Sequence, residues 1–421
     1  MLNKILKKYF KHKETIDNFF WRVFQMIGRQ GVTFLIFLLC AKLLNPYDFG
    51  IYNYMLAVIF FLIMFGDFGI STAASKYVVE YQEKDKDKLR GVLFNSGLII
   101  LLITILISFL VIIFGPYILK EKYYYCLYLL PLVFLTPITA LYDGIYRGLK
   151  KFKESALIYI VVSGISLFFV YFLIKYFGIL GALISQNIFY AFLLIGFVIG
   201  YRDFHFKINK EIIKEIGSYS LAVGFADLGI FLYVQFDTIV LGWFNYIKEI
   251  SYLSLANKSF MFLVIPFTIF SQVIAPNITK KFVNKQYTEI KCELKKYFYF
   301  SMVTGIFFAL LALVILKPIT TAFLQQYNNH YFYLFFELLL IIFPIRVFGS
   351  ILATSFIVST GSARIMTYNN LFFGALNVVM DLIFIKLFGF VGVIFSTLIL
   401  GYISVFVAYY YFNKRIGGFI I

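Results

Sequence analysis

Charged side chains are scarce in this sequence: they make up 14% of its 421 residues, against about 25% in a typical soluble domain. Cysteine is scarcer still, and the three cysteines show no paired spacing, so we expect no disulfide. The three histidines are scattered through tails and loops, at His12, His205 and His330. The phosphate-binding patterns GxxxxGKS and GxxxxGKT are missing. We therefore predict no metal site, no bound cofactor and no ATP-driven motor.

Apolar side chains, in contrast, make up 62% of the chain. A helix that crosses the roughly 30 Å hydrocarbon core of a bilayer needs about 20 apolar residues, and twelve stretches meet this requirement. They cover residues 20–43, 51–75, 92–115, 123–146, 156–174, 179–200, 217–243, 251–275, 297–316, 331–358, 364–385 and 390–412. Backbone polar groups cannot stay unpaired in lipid, so the spans must be helices. The predicted fold class is an all-α integral membrane protein with about 12 transmembrane helices.

The net charge of +17 could suggest a nucleic-acid partner, but the positions of the charges indicate membrane topology instead. With the N-terminus inside, 27 of the 38 Lys and Arg residues fall in inner segments and 7 in outer loops. Cationic loops stay on the cytoplasmic side. We therefore predict a multi-pass protein of the cell membrane with both termini cytoplasmic and no nucleic-acid partner. The basic residues 1–18 form either an amphipathic helix on the inner membrane surface or a frayed tail.

An internal repeat divides the chain. Residues 174–185 read IKYFGILGALIS and residues 385–396 read IKLFGFVGVIFS, with six of twelve positions identical at an offset of 211. This offset is half the chain length and indicates a duplication. We predict two pseudo-symmetric six-helix bundles, in residues 1–210 and 211–421. Six is an even number, so both bundles insert in the same orientation, as a parallel repeat.

Charged residues inside the spans are candidate site residues, because a charge in the membrane is costly unless it is paired or faces water. Arg29 and Asp67 lie at equal depth in the first predicted hairpin, and Asp237 and Lys258 do so in the fourth. Each couple is a candidate ion pair. The structural alternative for each cation is a simple ion pair or a side chain that extends to the interface.

Four further charged residues lie within predicted spans. Arg346 and Glu337 are nine residues apart and point to opposite sides of one helix. Asp227 has no obvious partner in the sequence, and Asp381 is one turn from the outer end of its span. An ion-coupled transporter needs an intramembrane carboxylate, and Asp227 and Glu337 are our candidates for that role.

The segment LLNPYDFGIYNYMLAVIFFLIMFGDFGISTAASKYVVEY, residues 43–81, resembles the first helical hairpin of polysaccharide-biosynthesis membrane proteins. These are oligosaccharide flippases of the multidrug/oligosaccharidyl-lipid/polysaccharide (MOP) exporter superfamily. The shared positions are Leu44, Pro46, Phe49, Gly50 and Tyr52, then Gly69–Ser71, then Lys76–Tyr77. The second half resembles the matching stretch of the family at Asp237, Leu241, Gly242, Tyr252, Ala256 and Lys258, with Ser251 where the family has glycine.

The resemblance implies two lobes around a central cavity and alternating access, which moves a polyprenyl-linked oligosaccharide from the inner to the outer leaflet. Its partners would be that lipid-linked oligosaccharide and membrane lipids. The chain would be a monomer, with association with polysaccharide-assembly proteins left open. A pyrophosphate linker needs cations, for which guanidinium groups offer paired hydrogen bonds. The substrate-binding candidates are therefore Arg29, Asp67, Asp237, Lys258 and Arg346.

Two other functions stay open on the sequence alone. The first is a cation-coupled antiporter of drugs or metabolites from the same superfamily. The second is a membrane-embedded saccharide polymerase or ligase. The enzyme would need a substantial extramembrane loop for its catalytic carboxylates, and no predicted loop exceeds about 20 residues, well below the size of an independent domain. We therefore expect a transporter and no enzyme.

Overall fold

The computed structural model describes residue 31 and residues 33–417. The helices in this range are α1 to α14, in chain order Thr33–Leu43, Pro46–Asp67, Ile70–Lys84, Lys86–Leu119, Tyr123–Leu129, Leu132–Gly148, Phe152–Gly200, Lys210–Val234, Phe236–Trp243, Ile247–Val283, Tyr287–Phe323, His330–Ile351, Ala363–Phe388 and Gly392–Ile416. A π-helix, Leu352–Val358, directly continues α12. The described residues contain no β-strand. The all-α fold predicted from the apolar runs is confirmed.

Eight helical stretches among the described residues are long and apolar enough to cross a membrane. The number is below twelve partly because two of these stretches, Phe152–Gly200 and Ala363–Ile416, each contain two predicted spans. In α7 the predicted spans 156–174 and 179–200 meet at Gly178, where the backbone is not helical. Half of the first predicted span, and the basic segment 1–18, lie outside the described residues.

Polar side chains mark several helix ends as the sequence suggests. Asp85 caps α4 by accepting hydrogen bonds from the backbone N–H groups of Asp87 and Lys88, both at 3.0 Å. Asn209 caps α8 in the same way. Such caps satisfy donors that the first turn of a helix leaves unpaired. The predicted spans leave residues 44–50 as a turn, but α2 already begins at Pro46. Proline is favoured at the first position of a helix, because the N–H group that it lacks would have no partner there.

The two copies of the repeat share their local structure. Gly178 and Gly389 both have positive φ, 55° and 63°, in the left-handed region that favours glycine. In each copy, a backbone carbonyl oxygen from before the reversal closely approaches a second glycine after it. A side-chain carbon at Gly181 would overlap the carbonyl oxygen of Leu173, and one at Gly392 would overlap that of Phe384. Each of these pairs keeps the offset of 211, so the duplication extends to backbone contacts.

The described chain forms two compact units. Unit 1 contains the described residues up to Leu44 together with Val58–Asp227. Unit 2 contains Asn45–Ala57 and the chain from Leu228 onward. The division therefore falls inside α2 and inside α8, whereas the sequence suggested residue 210. The assignment of six helices to each half stays a prediction.

The segment between α7 and α8 is held firmly within unit 1. The buried Asn95 of α4 donates to the carbonyl of Lys207 at 3.0 Å and accepts from the N–H of Asn209 at 2.8 Å. Arg90 forms an ion pair with Asp203 at 2.8 Å. These bonds attach the stretch before the predicted division at residue 210 to α4 of unit 1.

Apolar side chains cover much of the outside of both units, as expected for a surface in contact with lipid. On α4, Leu102 is 61% exposed and Phe109 is 58% exposed. On α11, Val314 is 73% exposed. Soluble monomers rarely expose contiguous apolar surface on this scale. The protein is a multi-pass membrane protein.

Candidate functional site

The most deeply buried polar cluster of unit 2 brings together three helices. Asp237 stands in the first turn of α9, just after the break at Gln235. Asn377 and Asp381 lie one turn apart on α13, so they point the same way. Ser396 and Thr397 come from α14. We call Asp237, Asn377, Asp381, Ser396 and Thr397 the acid cluster.

Hydrogen bonds connect the acid cluster throughout. The side-chain amide of Asn377 donates to Asp237 at 2.8 Å and to Asp381 at 3.2 Å. Thr397 donates to the other oxygen of Asp237 at 2.9 Å, and Ser396 donates to Asp381. The amide group of Asn377 thus joins the two carboxyl groups, which lie side by side in the cluster.

The electrostatics of the cluster call for a cation. Asp237 is 4% exposed and Asp381 is fully buried, and neither forms an ion pair with a Lys or Arg of the described chain. The side-chain oxygen of Asn377 is buried and accepts no hydrogen bond from any described residue. Buried carboxylates are stable only when they are protonated, paired or bound to a cation. The oxygen-only donor set suits a proton or a hard monovalent ion.

The first copy of the repeat has no equivalent acid cluster. At the offset of 211, Val170 stands in place of Asp381 and Ser166 in place of Asn377. The hairpin itself is preserved, since the hydroxyl oxygens of Ser185 and Ser396 each lie within hydrogen-bonding distance of the carbonyl oxygen three residues before them, at 2.7 and 2.9 Å. The first copy therefore adopts this hairpin without a carboxylate at the position of Asp381.

The ion pair that we expected between Asp237 and Lys258 is wrong. Equal depth in a hairpin does not determine which side of each helix a residue occupies. Asp237 faces α13 and α14 and takes its hydrogen bonds from Asn377 and Thr397. The side chain of Lys258 is exposed.

Asp67 in unit 1 has a structural role that the sequence did not reveal. Its two oxygens accept from the N–H and the hydroxyl of Ser71, at 2.8 and 2.7 Å. The bonds bridge a break in the helix, where Phe68 and Gly69 have φ of 35° and 80°. Asp227, in the second half of α8, is exposed. Arg29, the predicted partner of Asp67, lies outside the described residues, so that pairing stays a prediction.

The structure also places the other expected residues. Asp143 and Arg147, one turn apart on α6, form an ion pair with 3.4 Å between Oδ2 and Nε. Glu337 is exposed on α12. Arg346 lines a cavity in unit 2. Among residues that the structure describes, no group of three or more His, Cys, Asp or Glu side chains could hold a metal ion, and Cys40, Cys126 and Cys292 form no disulfide with one another.

Acidic residues buried inside a membrane protein commonly mark functional sites. The polysaccharide biosynthesis protein family matches residues 15–282. The chain belongs to that family, as the hairpin motif predicted. An uncharacterized membrane protein of Methanocaldococcus jannaschii is 27% identical over 404 residues, which cover 90% of this chain and 92% of that protein.

Solved structures of MOP superfamily proteins share the fold. A multidrug resistance MATE family transporter in its inward-facing conformation matches with a TM-score of 0.77 at 14% identity, over 94% of this chain and 98% of that one. The lipid II flippase MurJ in an inward closed conformation matches with a TM-score of 0.71 at 18% identity, over 93% of this chain and 87% of that one. The predicted MOP fold is confirmed.

Proposed function

We propose that this protein is a flippase that moves a lipid-linked oligosaccharide from the inner to the outer leaflet of the cell membrane by alternating access. The observation that carries the proposal is the match to the polysaccharide biosynthesis protein family over residues 15–282. A sugar head group cannot cross hydrocarbon without losing its hydrogen bonds to water, so it needs a protein path. The longest interruption between described helices is residues 201–209, which leaves that part of the chain without an extramembrane catalytic domain.

The acid cluster supports coupling of this transport to a cation. Acids inside a membrane mark proton relays and ion paths in transporters. Binding of one proton or monovalent cation removes one of the two negative charges that Asp237 and Asp381 carry when both are ionised. Its release restores that charge, so the two states differ by one charge inside the membrane. We assign the ion-coupling role to this pair, ahead of Asp227 and Glu337.

A cation-coupled antiporter of drugs or metabolites is the second candidate function. The similarity to a multidrug resistance MATE family transporter, at a TM-score of 0.77, favours it. The acid cluster fits both functions, because either substrate could be coupled to a cation. The two proposals differ in the substrate, and transport assays with both substrate classes can distinguish them.

Purified protein in liposomes is expected to flip a fluorescent lipid-linked saccharide without nucleotide, and faster with the inside of the membrane negative. Outward movement of about two negative charges gains roughly 4–5 kcal/mol at 100 mV. Empty liposomes and the Asp381→Asn variant serve as controls. A strict requirement for ATP would contradict the proposal. Export of ethidium without any flipping of the saccharide would favour the antiporter.

The predicted topology can be tested by labelling single cysteines in a Cys292→Ser background, because Cys40 and Cys126 are buried. Gln82 and Gln325 are both exposed, at the end of α3 and just after α11. We expect Gln82→Cys to react with an impermeant maleimide only from the cytoplasmic side, and Gln325→Cys only from outside. The reverse pattern, or equal labelling of both, would rule out cytoplasmic termini.

A further inference from the structure

Unit 2 contains a cavity of about 340 Å³ that the acid cluster does not line. Its walls come from α8, α10, α12, α13, α14 and the π-helix. Polar side chains on these walls include Tyr233, Thr268, Arg346, Ser350, Asn369 and Asn370. The volume is near the lower end for ligand pockets, which span roughly 300–1,000 Å³. The cavity therefore has room for one sugar ring with its substituent rather than a whole oligosaccharide.

Arg346 provides the positive charge of this cavity. It is half-buried in the middle of a membrane helix. Its guanidinium carbon lies 5.9 Å from the centre of the Tyr233 ring. Among the described residues it has no ion-pair or hydrogen-bond partner, so its N–H donors are available to a ligand. A guanidinium group inside the membrane is costly unless it meets water or an anion, and its planar fork suits a phosphate or a carboxylate.

The other walls supply neutral donors and acceptors. The hydroxyl of Tyr233 is 3.1 Å from that of Ser404, and Thr268 is 3.2 Å from Ser350. The side-chain oxygen of Asn369 is buried and has no hydrogen-bond partner in the described part of the chain. An orphan acceptor of this kind usually indicates a missing water or ligand. Hydroxyl groups of a sugar can donate to it.

The π-helix gives the cavity a wall of irregular backbone. Its first three residues, Leu352, Ala353 and Thr354, line the cavity. Further along, Ser355 donates to the carbonyl of Ser271 on α10 at 2.5 Å. π-helices occur mostly as short insertions at functional sites. The irregular turn is thus fixed to a neighbouring helix beside the charged residue, which is the arrangement expected of a binding site.

We propose that this cavity binds the anionic oxygen group of a saccharide, with Arg346 holding the oxyanion and Asn369 accepting from a sugar hydroxyl. This assignment rests on the proposed function, and it adds a specific subsite to it. The oxyanion has two possible sources, the phosphate that joins the sugar to its lipid or an acidic substituent on the sugar itself. Titration with one soluble sugar of each kind distinguishes these sources.

Methionine methyl groups report directly on the cavity, because Met261 and Met366 both line it. Full-length protein labelled with ¹³C at the methionine methyl groups can be titrated in nanodiscs with glucose 1-phosphate, glucuronate, glucose or inorganic phosphate. We expect the signals of Met261 and Met366 to shift with an anionic sugar. A preference for glucose 1-phosphate indicates the lipid phosphate, and a preference for glucuronate indicates an acidic sugar.

Arg346→Gln is expected to weaken this binding by about ten- to a hundredfold, since a charge-assisted hydrogen bond is lost. Arg346→Lys keeps the positive charge but lacks the paired N–H donors of the guanidinium group, so it should weaken binding by an intermediate factor. Such a graded loss of affinity distinguishes a lost ligand contact from a folding defect. Arg202→Gln is the matched control, because Arg202 is exposed in the segment between α7 and α8. It should bind as the parent does.

Several results would overturn the assignment. These are unchanged Met261 and Met366 signals with both anionic sugars, equal shifts with glucose or with phosphate alone, or full affinity in Arg346→Gln. If the parent flips the lipid-linked saccharide while the cavity binds no anionic sugar, only this inference fails. If the cavity binds anionic sugars but no saccharide is flipped, the proposed function fails and the subsite remains.

Discussion

Asp381→Asn is expected to reduce transport by more than about a hundredfold while the protein stays folded. Loss of a residue that merely supports an ion ligand typically costs about 10- to 100-fold in affinity, and here a charged ligand itself is removed. Asparagine keeps the shape and can still bond with Ser396 and Asn377, its present neighbours. Removing a buried negative charge does not by itself destabilise the fold.

Transport by Asp381→Asn should be measured in liposomes together with its dependence on pH and sodium. Asp237→Asn should show a similar loss, because both acids share Asn377. Glu121→Gln, at an exposed acid outside the cluster, is the matched control and should transport normally. Asp381→Leu should also lower the melting temperature, since Ser396 and Asn377 lose a buried acceptor. Normal, cation-dependent transport by Asp381→Asn would remove the acid cluster from the coupling mechanism.

Gly181→Val and Gly392→Val are expected to destabilise the protein strongly and to a similar degree. In each copy of the repeat, the first side-chain carbon would overlap a backbone carbonyl oxygen that cannot move independently. Inserting even flexible extra groups into a packed core costs about 1–3 kcal/mol, so we expect each change to cost at least about 3 kcal/mol. The melting temperature of detergent-purified protein measures this loss.

The control for these glycines lies in α7 before the reversal at Gly178. A side-chain carbon at Gly164 would meet no atom within 4 Å. Gly164→Ala should therefore be neutral or slightly stabilising, because alanine favours a helix over glycine by up to about 1 kcal/mol. If Gly181→Val destabilises the protein and Gly392→Val does not, the two copies do not fold alike, and the structural equivalence of the repeat is refuted.

The fold could be predicted well from the sequence because lipid imposes simple rules on length and polarity. The apolar runs indicated the helices, and the repeated glycines indicated both reversals. Breaks that no glycine or proline marks could not be predicted in this way. The predicted span 217–243 is two helices, α8 and α9, which are separated at Gln235, and neither glycine nor proline stands at that position.

The candidate site is only partly visible in the sequence. Asp237 and Asp381 stand out as intramembrane charges, but their connection through Asn377 spans 140 positions and depends on how three helices face one another. A useful signal exists in the repeat itself. An acid in the second copy that replaces an apolar residue of the first, as Asp381 replaces Val170, marks a position where the scaffold requires no charge.

The firm attachment of residues 201–209 to α4 has a consequence for anyone who wishes to cut this protein into parts. A gene fragment that ends at residue 210 would remove Glu215 from Tyr81 and Tyr219 from Lys76, which lies 4.2 Å from its ring. It would also uncover Gly69, which packs against the backbone of α8 at Ser220 and Gly224. Extending the fragment to Asp227 restores these neighbours but leaves Asn45–Ala57 without unit 2, to which they belong. Expression of residues 1–210 or 211–421 alone would therefore yield an incomplete domain. This holds whether the chain is cut before or after residues 201–209.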